Sequence, residues 1–300
     1  MIKNRLLKMS DSNLLAPIYF FLHIPKTGGV SIKNNLSRVL PKSSVYSITS
    51  NGDGVSGYFG YLSSLKKLED YEQFYKDKIR LVTGHYSFGL HESFGDRTFK
   101  YLSFVRDPIE RVISLYFYIK TQPTHPLFSV VVDKNLTLEQ FALGSFHSEI
   151  ENCQTKMLSG RKETDFLVGT EPCAEIDLQR AIKHIESYFP VVGLTEKCDQ
   201  SLSLINYNYG LNLVPGVKKN VTKYRPKITE IDQVTKKAIE SVNAYDIELY
   251  RYSCERFQKM IKSQRNQLFL LSTSQRVSRK LSRINCKIQR ILSERMFDKF

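Results

Sequence analysis

Short apolar runs alternate along the chain with longer segments whose apolar residues recur at helical spacing. The runs are rich in β-branched and aromatic residues, as buried strands are, and helix-forming stretches separate them. This alternation predicts an α/β fold, a single domain in which helices flank a parallel, P-loop-like sheet. The predicted strands are 18–22, 44–48, 79–82, 101–105 and 191–194.

Three helix starts can be recognised from local sequence. Asp107 followed by Pro108 is typical of an N-cap and a first helical position, and an apolar stripe follows. The Thr-Glu-Ile-Asp segment at 229–232 has the spacing of a capping box and predicts a helix through Val242. A further helix, through Leu40, is expected after the first strand and the glycine-containing turn that follows it.

The character of the sequence changes at residue 259, beyond which Glu294 and Asp298 are the only acidic residues. We therefore predict an N-terminal extension (1–17), one α/β domain (18–258) and a basic helical tail (259–300). The tail would lie on an anionic membrane surface, a partner subunit or the domain itself, or form a solvated peripheral helix. Its amphipathic pattern comes from apolar residues at helical spacing, namely Leu281, Ile284, Ile288 and Ile291.

Composition narrows the classes of protein and of partner. With 41% apolar and 25% charged residues in 300, the chain has an ordinary globular composition, and disorder is not expected. The formal net charge of +14 favours a polyanionic partner, which could be a nucleic acid, an anionic lipid, a nucleotide or an acidic polysaccharide. Charge alone does not choose among them.

The cysteines and the N-terminal region indicate a cytoplasmic protein. The five cysteines are odd in number, widely spread and never form a CxxC pair, which argues against a disulfide framework or a zinc site. The apolar run at 14–24 is too short to span a bilayer and lacks a cleavage site for secretion.

The first candidate binding site follows the first predicted strand, where residues 23–31 read H-I-P-K-T-G-G-V-S. A strand that enters a glycine-containing turn and then a helix presents backbone N–H groups and a positive helix end to a phosphate. Lys26 would add a charge beside them. The lysine precedes the glycines, so this is not the nucleoside-triphosphate loop GxxxxGK[ST]. The alternative is a tight structural turn with an exposed lysine.

The second candidate lies at 105–114, at the end of another predicted strand. Arg106 sits at the carboxyl end of that strand, where open α/β sheets bind ligands, and Ser114 follows two helical turns later. An arginine and a hydroxyl can together hold a second phosphate. The alternative is a structural arginine that pairs with carboxylates and carbonyls near the helix cap.

Together, the IPKTGG segment and the RDPxxRxxS segment about 80 residues later resemble the nucleotide-binding motifs of one enzyme family. These are the sulfotransferases that use 3′-phosphoadenosine 5′-phosphosulfate (PAPS) and release 3′-phosphoadenosine 5′-phosphate (PAP). The sequence is most similar to their carbohydrate branch, which includes heparan sulfate 2-O-sulfotransferase and bacterial relatives. The resemblance covers residues 18–258, and the segments 83–86, 154–160 and 192–196 add to it.

The resemblance implies a role for each matching residue in binding PAPS. Arg106 and Ser114 would hold the 3′-phosphate, and the loop at 218–226 would close over the nucleotide through Lys223, Tyr224 and Arg225. Val30 stands where many members have a hydroxyl residue, so nucleotide affinity is expected to be lower than is usual for the family. The 5′-phosphosulfate would be held by Lys26, Thr27, Gly28, Gly29, Val30 and Ser31.

The resemblance also implies in-line sulfuryl transfer to a hydroxyl of a carbohydrate or another small acceptor, without a metal. His85 is the expected base, with His91 and Glu92 as alternatives, and Lys26 is the expected electrostatic catalyst. His23 is expected to pack at the edge of the loop rather than to take a proton. The basic residues Lys156, Arg161 and Lys162 would steer an acidic glycan or else be solvated surface.

Two other classes of function compete with this one. A nucleotide-dependent kinase would need a magnesium-binding hydroxyl directly after the loop lysine, and Thr27 has that position. A basic nucleic-acid-binding or membrane-binding protein with a vestigial nucleotide site would explain the charge. Intact Lys26, Arg106 and Ser114 argue against a vestigial site, and no nucleic acid is expected as a partner.

Overall fold

Five parallel strands form the central sheet in the order β2-β3-β1-β4-β5, which confirms the predicted α/β class. The computed structural model describes residues 16–48, 58–144, 146–161, 171–214, 225–270 and 273. The strands are β1 (Ile18–Leu22), β2 (Val45–Ile48), β3 (Leu81–Gly84), β4 (Phe99–Val105) and β5 (Val191–Leu194). Three of the predictions need adjustment. β2 begins one residue later and β4 two residues earlier than the apolar runs indicated, and β3 is shifted two residues later at both ends.

The strands are buried because helices flank the sheet. All five residues of the central strand β1 are buried, as are all four of β3 and of β5. In the core beside β1, the Phe20 ring stacks on Tyr101 of β4 with ring centroids 4.9 Å apart, and its edge meets Phe94 at 5.4 Å. A continuous apolar run such as 18–22 is what a strand buried on both faces requires.

The helices fill the connections between the strands and then continue after the last one. In chain order they are α1 (Gly29–Val39), α2 (Tyr58–Glu69), α3 (Gln73–Lys76), α4 (Pro108–Ile119), α5 (Phe128–Val132), α6 (Leu138–Leu143), α7 (Cys153–Leu158), α8 (Glu175–Tyr188), α9 (Cys198–Tyr209), α10 (Gln233–Val242) and α11 (Ala244–Ser263). Short 3-10 turns cover Lys42–Ser44, Leu90–Phe94, Thr195–Lys197 and Ile228–Glu230.

One predicted helix cap is confirmed and the other is wrong. The Asp107 side chain accepts a hydrogen bond of 3.0 Å from the Glu110 N–H and caps α4. Thr229 does not cap a helix, since it lies inside the 3-10 turn Ile228–Glu230. Asp232 caps α10 instead and accepts from the Thr235 N–H at 2.8 Å, because its carboxylate reaches the first-turn N–H directly. The helix ends at Val242 as expected.

A buried carboxylate joins α7 to α11 and so fixes a segment beside the sheet's carboxyl edge. Asp246, which is fully buried, accepts from the Gln154 N–H at 3.2 Å and from the Thr155 N–H at 2.8 Å. It thereby satisfies two N–H groups in the first turn of α7, which have no partner within the helix. The side chain of Gln154 is held close to Arg106 as a result.

The basic segment at the C-terminus begins inside a helix. α11 runs across the boundary expected between 258 and 259, and Lys259 and Lys262 are exposed on it. The predicted amphipathic pattern of the tail, at Leu281 to Ile291, lies outside the described residues, as do residues 1–15 of the N-terminal extension. Among the helices that the structure describes, none combines the length and the apolar character needed to cross a membrane.

Candidate nucleotide-binding and catalytic site

The sheet topology brings the sequence-predicted residues together at one edge. After β1 the chain crosses toward β2, and after β4 it crosses toward β5, so the connections diverge between the neighbouring strands β1 and β4. A crevice forms at such a divergence and is the usual ligand site of open α/β sheets. Lys26 follows β1 and Arg106 follows β4, while His85 follows β3 on the other side of β1.

The loop after β1 ends in a helix start that suits an anion. Gly28 precedes α1 in the left-handed region, with φ of 79°, which glycine adopts without strain. No side chain caps the helix, and its first turn contains no acidic residue. The positive end of α1 therefore faces the crevice without a carboxylate to neutralise it.

Thr27 holds the loop together instead of presenting its hydroxyl to a ligand. Its side chain is almost completely buried, and the hydroxyl donates a 2.9 Å hydrogen bond to the Ile24 carbonyl. A contribution from Thr27 to a phosphate would therefore come from its backbone. The same contact disfavours the kinase alternative, which needs this hydroxyl as a magnesium ligand. The part of the chain that the structure describes also contains no cluster of acidic, histidine or cysteine ligands for a metal.

Thr195 braces the loop against the neighbouring strand, and sequence reasoning did not single it out. Its hydroxyl lies 2.8 Å from the Thr27 carbonyl and 3.1 Å from the Val105 carbonyl, and its proton is shared between them. The residue follows β5, so three strand ends are tied together through one side chain. The one indication of its importance in the sequence was that it lies in the segment 192–196, which adds to the family resemblance.

Lys26 is held in an unusual conformation at the centre of the site. Its φ of 68° is uncommon for a residue with a side chain, and such strain is concentrated at functional sites. The ammonium lies 3.5 Å from the ring centroid of Tyr118, within the range of a cation–π contact. The pKa of Lys26 is lowered to about 8, mainly by burial, with Glu149 raising it and Arg106 and Arg225 lowering it.

His85 has one nitrogen fixed and the other free for proton transfer. Its Nδ1 lies 2.6 Å from the His23 carbonyl and donates to it, so Nε2 of the neutral ring is an acceptor. Burial is the largest influence on the pKa of His85 and lowers it. Glu149 raises the pKa of His85, and Lys33 and Lys26 lower it. The net shift is downward, and the ring is neutral at pH 7.

His23 packs at the edge of the loop, as its position in the sequence suggested. Its ring is nearly parallel to Phe21 at 5.5 Å and lies 4.4 Å from the His85 ring. It also fills the space beside Gly29, where an added Cβ would come within 1.8 Å of the imidazole. Burial, with the nearby His85 and Lys33, holds the pKa of His23 well below its usual value. His23 is therefore a neutral packing element between the loop and His85.

Arg106 is fixed from several directions and leaves one donor without a partner. Its Nη1 donates to the Lys26 carbonyl at 3.1 Å, and its Nη2 to Glu110 at 3.0 Å. The Gln154 side chain bonds both the N–H and the carbonyl of Arg106, each at 2.9 Å. The buried Nε has no hydrogen-bond partner within the described part of the chain. An unpaired buried donor in this crevice is a natural contact for a phosphate oxygen.

Arg225, expected in the loop that closes over the nucleotide, reaches the same place. It forms a short ion pair with the Glu110 carboxylate and donates to the Glu110 carbonyl at 3.1 Å. Lys223 and Tyr224, from the same predicted loop, lie outside the described residues. Ser114 is buried on α4, two turns beyond Arg106.

Sequence reasoning did not identify a group of titratable residues around His85. Burial alone would raise the pKa of Glu149, but the neighbouring His147, His85 and His125 outweigh it and keep the carboxylate ionised. No motif surrounds these residues in the sequence. Lys33 could have been found, because it follows Ser31 by two residues at the start of α1.

The alternative bases differ in their surroundings. His91 packs among aromatic rings, with its centroid 4.2 Å from Phe99, and its Nδ1 lies 3.2 Å from the Tyr101 hydroxyl. That setting explains His91 as a packing residue. Glu92 is exposed in the 3-10 turn Leu90–Phe94.

Two basic residues that were expected either to steer a glycan or to be solvated have acidic partners within the chain. Lys156 is buried and lies 3.6 Å from the Glu151 carboxylate. Arg161 pairs with Asp177 at 2.7 Å and donates to the Glu171 and Pro172 carbonyls. Lys162 lies outside the described residues.

The crevice between β1 and β4 has cationic groups at two places, which suits a ligand that carries more than one phosphate. One cationic pocket is formed by the uncapped start of α1 with Lys26, and another by Arg106 with Arg225. The class of protein is thus a nucleotide-dependent group-transfer enzyme on an α/β sheet. The model of the sulfotransferase family matches residues 18–253, most of the chain, and the protein belongs to that family. It is a PAPS-dependent sulfotransferase.

Comparison with solved structures gives a distant likeness to mouse sulfotransferase SULT7A1, whose crystal structure is a complex with PAP. The two chains share 12% sequence identity with a TM-score of 0.37, over 80% of this chain and 70% of that one. No curated protein matches the sequence.

The exposed Val30 leads to a prediction about donor affinity. Its side chain is 43% exposed in the first turn of α1, although an apolar residue gains nothing from solvent there. We expect Val30→Thr to strengthen PAP binding about two- to tenfold, because the added hydroxyl supplies one hydrogen bond to a charged group. Titration calorimetry with PAP would measure this, with Val39→Thr on the last turn of α1 as the control. Unchanged or weaker binding in Val30→Thr would remove residue 30 from the nucleotide site.

Proposed function

We propose that this sulfotransferase acts on a hydroxyl of a carbohydrate or another small acceptor, with His85 as the general base and Lys26 as the electrostatic catalyst. The observation that carries the proposal is the convergence of His85, Lys26 and Arg106 at the ends of three neighbouring strands. A base, a cation for the leaving oxygen and an anchor for the nucleotide are what in-line sulfuryl transfer requires.

In the proposed reaction, Nε2 of His85 takes the proton from the acceptor hydroxyl as its oxygen forms a bond to sulfur. The bond between sulfur and the bridging phosphate oxygen breaks, and that oxygen leaves with PAP. Lys26 stabilises the negative charge that develops on the leaving oxygen. The His23 carbonyl keeps the proton on Nδ1 of His85, and the imidazolium that forms lies within reach of the Glu149 charge.

The positive charge of the chain supports an acidic glycan as the acceptor. The formal net charge is +14, and Lys26 and Lys33 both act on the potential at His85, where the acceptor would meet the base. A glycan that already carries carboxylates or sulfates would be drawn to such a site. The exposed Lys259, Lys262 and Arg265 near the end of α11 could add a contact with an anionic membrane surface, which would weaken as salt rises.

The cysteines support a reducing compartment such as the cytoplasm as the place of action. Cys153, Cys173 and Cys254 are thiols outside any disulfide in the described part of the chain, and Cys286 lies outside the described residues. Burial raises the pKa of Cys153 and of Cys173 to about 12, so neither thiol is reactive at neutral pH.

A thermal-shift experiment with two nucleotides tests the proposed site. PAP should raise the melting temperature of the protein while ATP with magnesium should not, because ATP lacks the 3′-phosphate that Arg106 and Ser114 would hold.

Arg106→Ala should then weaken PAP binding by about 1.5 to 3 kcal/mol, the scale of a hydrogen bond to a charged group. Arg251→Ala, which removes an exposed arginine from α11, is the control. Equal stabilisation by both nucleotides would overturn the proposed nucleotide site.

A further inference from the structure

Two arginines that are distant in the sequence meet at one carboxylate beside the crevice. Arg106 Nη2 lies 3.0 Å from Glu110 Oε2, and Arg225 Nη2 forms a shorter ion pair with the same oxygen. The three side chains are largely enclosed, with exposures of 16%, 18% and 20% for Arg106, Glu110 and Arg225. Two guanidinium groups at this separation repel each other, and the carboxylate between them offsets that repulsion.

The contacts of Glu110 differ from those of an ordinary helical ion pair. Arg251 and Glu255 have the same i,i+4 spacing on α11, but their side chains are 72% and 58% exposed and lie 3.8 Å apart. Such an exposed pair contributes little beyond the helix itself. Glu110 instead joins α4 to Arg225, 115 residues later, through both its carboxylate and its backbone carbonyl.

The arrangement leaves donors of Arg106 in place for an anion. One guanidinium nitrogen is used by Glu110 and another by the Lys26 carbonyl, while the buried Nε has no partner in the described part of the chain. Other carboxylates act here besides Glu110, because Glu196 raises the pKa of Arg106 and Glu149 raises the pKa of Lys26. The unpaired Nε is therefore the donor that remains for an anion, and Glu110 orients the two arginines beside it.

We infer that Glu110 is a positioning residue that holds Arg106 and Arg225 together at the 3′-phosphate subsite and so sets the preference for a 3′-phosphorylated nucleotide. The inference rests on the proposed nucleotide site. Glu110 does not touch the nucleotide in this role, and acts through the two arginines. Its removal should therefore weaken recognition of the 3′-phosphate and leave the 5′-phosphate contacts of the loop at 26–31 unchanged.

The test compares two nucleotides on the full chain by titration calorimetry. Adenosine 5′-phosphate has the 5′-phosphate alone, whereas PAP has both phosphates. Glu110→Ala should weaken PAP binding about tenfold and leave adenosine 5′-phosphate binding within about twofold, because only the orientation of the arginines is lost. Glu110→Gln, which keeps an acceptor oxygen but not the charge, should cause a smaller loss of PAP affinity. Glu255→Ala, which breaks the exposed pair on α11, should bind both nucleotides like the wild type.

The outcomes separate this inference from the proposed site. If the wild-type protein does not prefer PAP over adenosine 5′-phosphate, the proposed nucleotide site fails. If the wild type prefers PAP and Glu110→Ala binds PAP equally well or more tightly, the positioning role is overturned, and in the tighter case Glu110 competes with the phosphate. An equal loss for both nucleotides also overturns it, because Glu110 would then support only the local fold. Retained binding of adenosine 5′-phosphate shows that the variant is folded.

Discussion

Replacing His85 with alanine should lower turnover by about 10² to 10⁴ while PAP affinity stays nearly the same, because a general base acts only in the transition state. His85 is placed for this role by the 2.6 Å contact of its Nδ1 with the His23 carbonyl, which leaves Nε2 as the acceptor. Initial rates of sulfuryl transfer to an acceptor that the wild type uses, together with calorimetry of PAP binding, would measure both effects.

His91→Ala is the matched control, because His91 lies just beyond the same strand but packs among aromatic rings. Its turnover should stay close to that of the wild type. If His85→Ala keeps more than about a third of wild-type turnover, that residual turnover is far above the range expected when a general base is lost. The role of base would then pass to His91 or to the exposed Glu92, and Glu92→Gln would be the next variant to measure.

The pH dependence of the wild-type rate gives an independent measure of the same groups. The rate should rise with pH through a pKa below the ordinary 6.5 of histidine, because His85 must be neutral to accept a proton and burial lowers its pKa. kcat/KM for the donor should fall again above about pH 8, where the free protein loses the proton of Lys26. A falling limb should be weaker or absent in kcat, since the bound donor is anionic and raises the pKa of Lys26.

Lys26→Ala should lower PAP affinity about 10- to 100-fold and turnover about 10²- to 10³-fold, because its charge contacts both the bound donor and the leaving oxygen. The effect on binding distinguishes it from His85→Ala. Lys120→Ala is the matched control, since the Lys120 ammonium also lies over a tyrosine ring of α4, 5.2 Å from the Tyr116 centroid. Calorimetry and initial rates on the three proteins would measure these effects. Wild-type PAP affinity in Lys26→Ala would remove the lysine from the donor site.

The sequence contained most of the sheet and the segments that form the site. The apolar runs at 18–22 and 191–194 match β1 and β5 residue for residue, because a strand buried on both faces must be apolar throughout. The Asp107 cap was also predictable, since the capping geometry involves only neighbouring residues. The N-cap of α10, the helix that ends at Val242, could not be predicted in the same way. Thr229 and Asp232 are both suitable cap residues, and the sequence alone does not choose between them.

Contacts between distant segments account for what the sequence could not predict. Nothing near Glu149 in the sequence indicates that its charge acts on His85, 64 positions earlier, and the same holds for the contact between Arg225 and Glu110. These pairs depend on how strands and loops are arranged in space. The burial of Lys156 was also not predictable from the sequence, because basic residues are usually exposed. This lysine is buried and lies beside the Glu151 carboxylate.

The close packing of the His23 ring against Gly29 links the evolutionary choices at these two positions. With less than 2 Å between the imidazole and the place of a Cβ at residue 29, alanine there would force the His23 ring to move. A larger residue at 29 would therefore require a different position or a smaller side chain at 23. Since His23 also lies against the His85 ring, such a change would alter the packing of His85 as well. The loop after β1 and the expected base thus share one packing constraint.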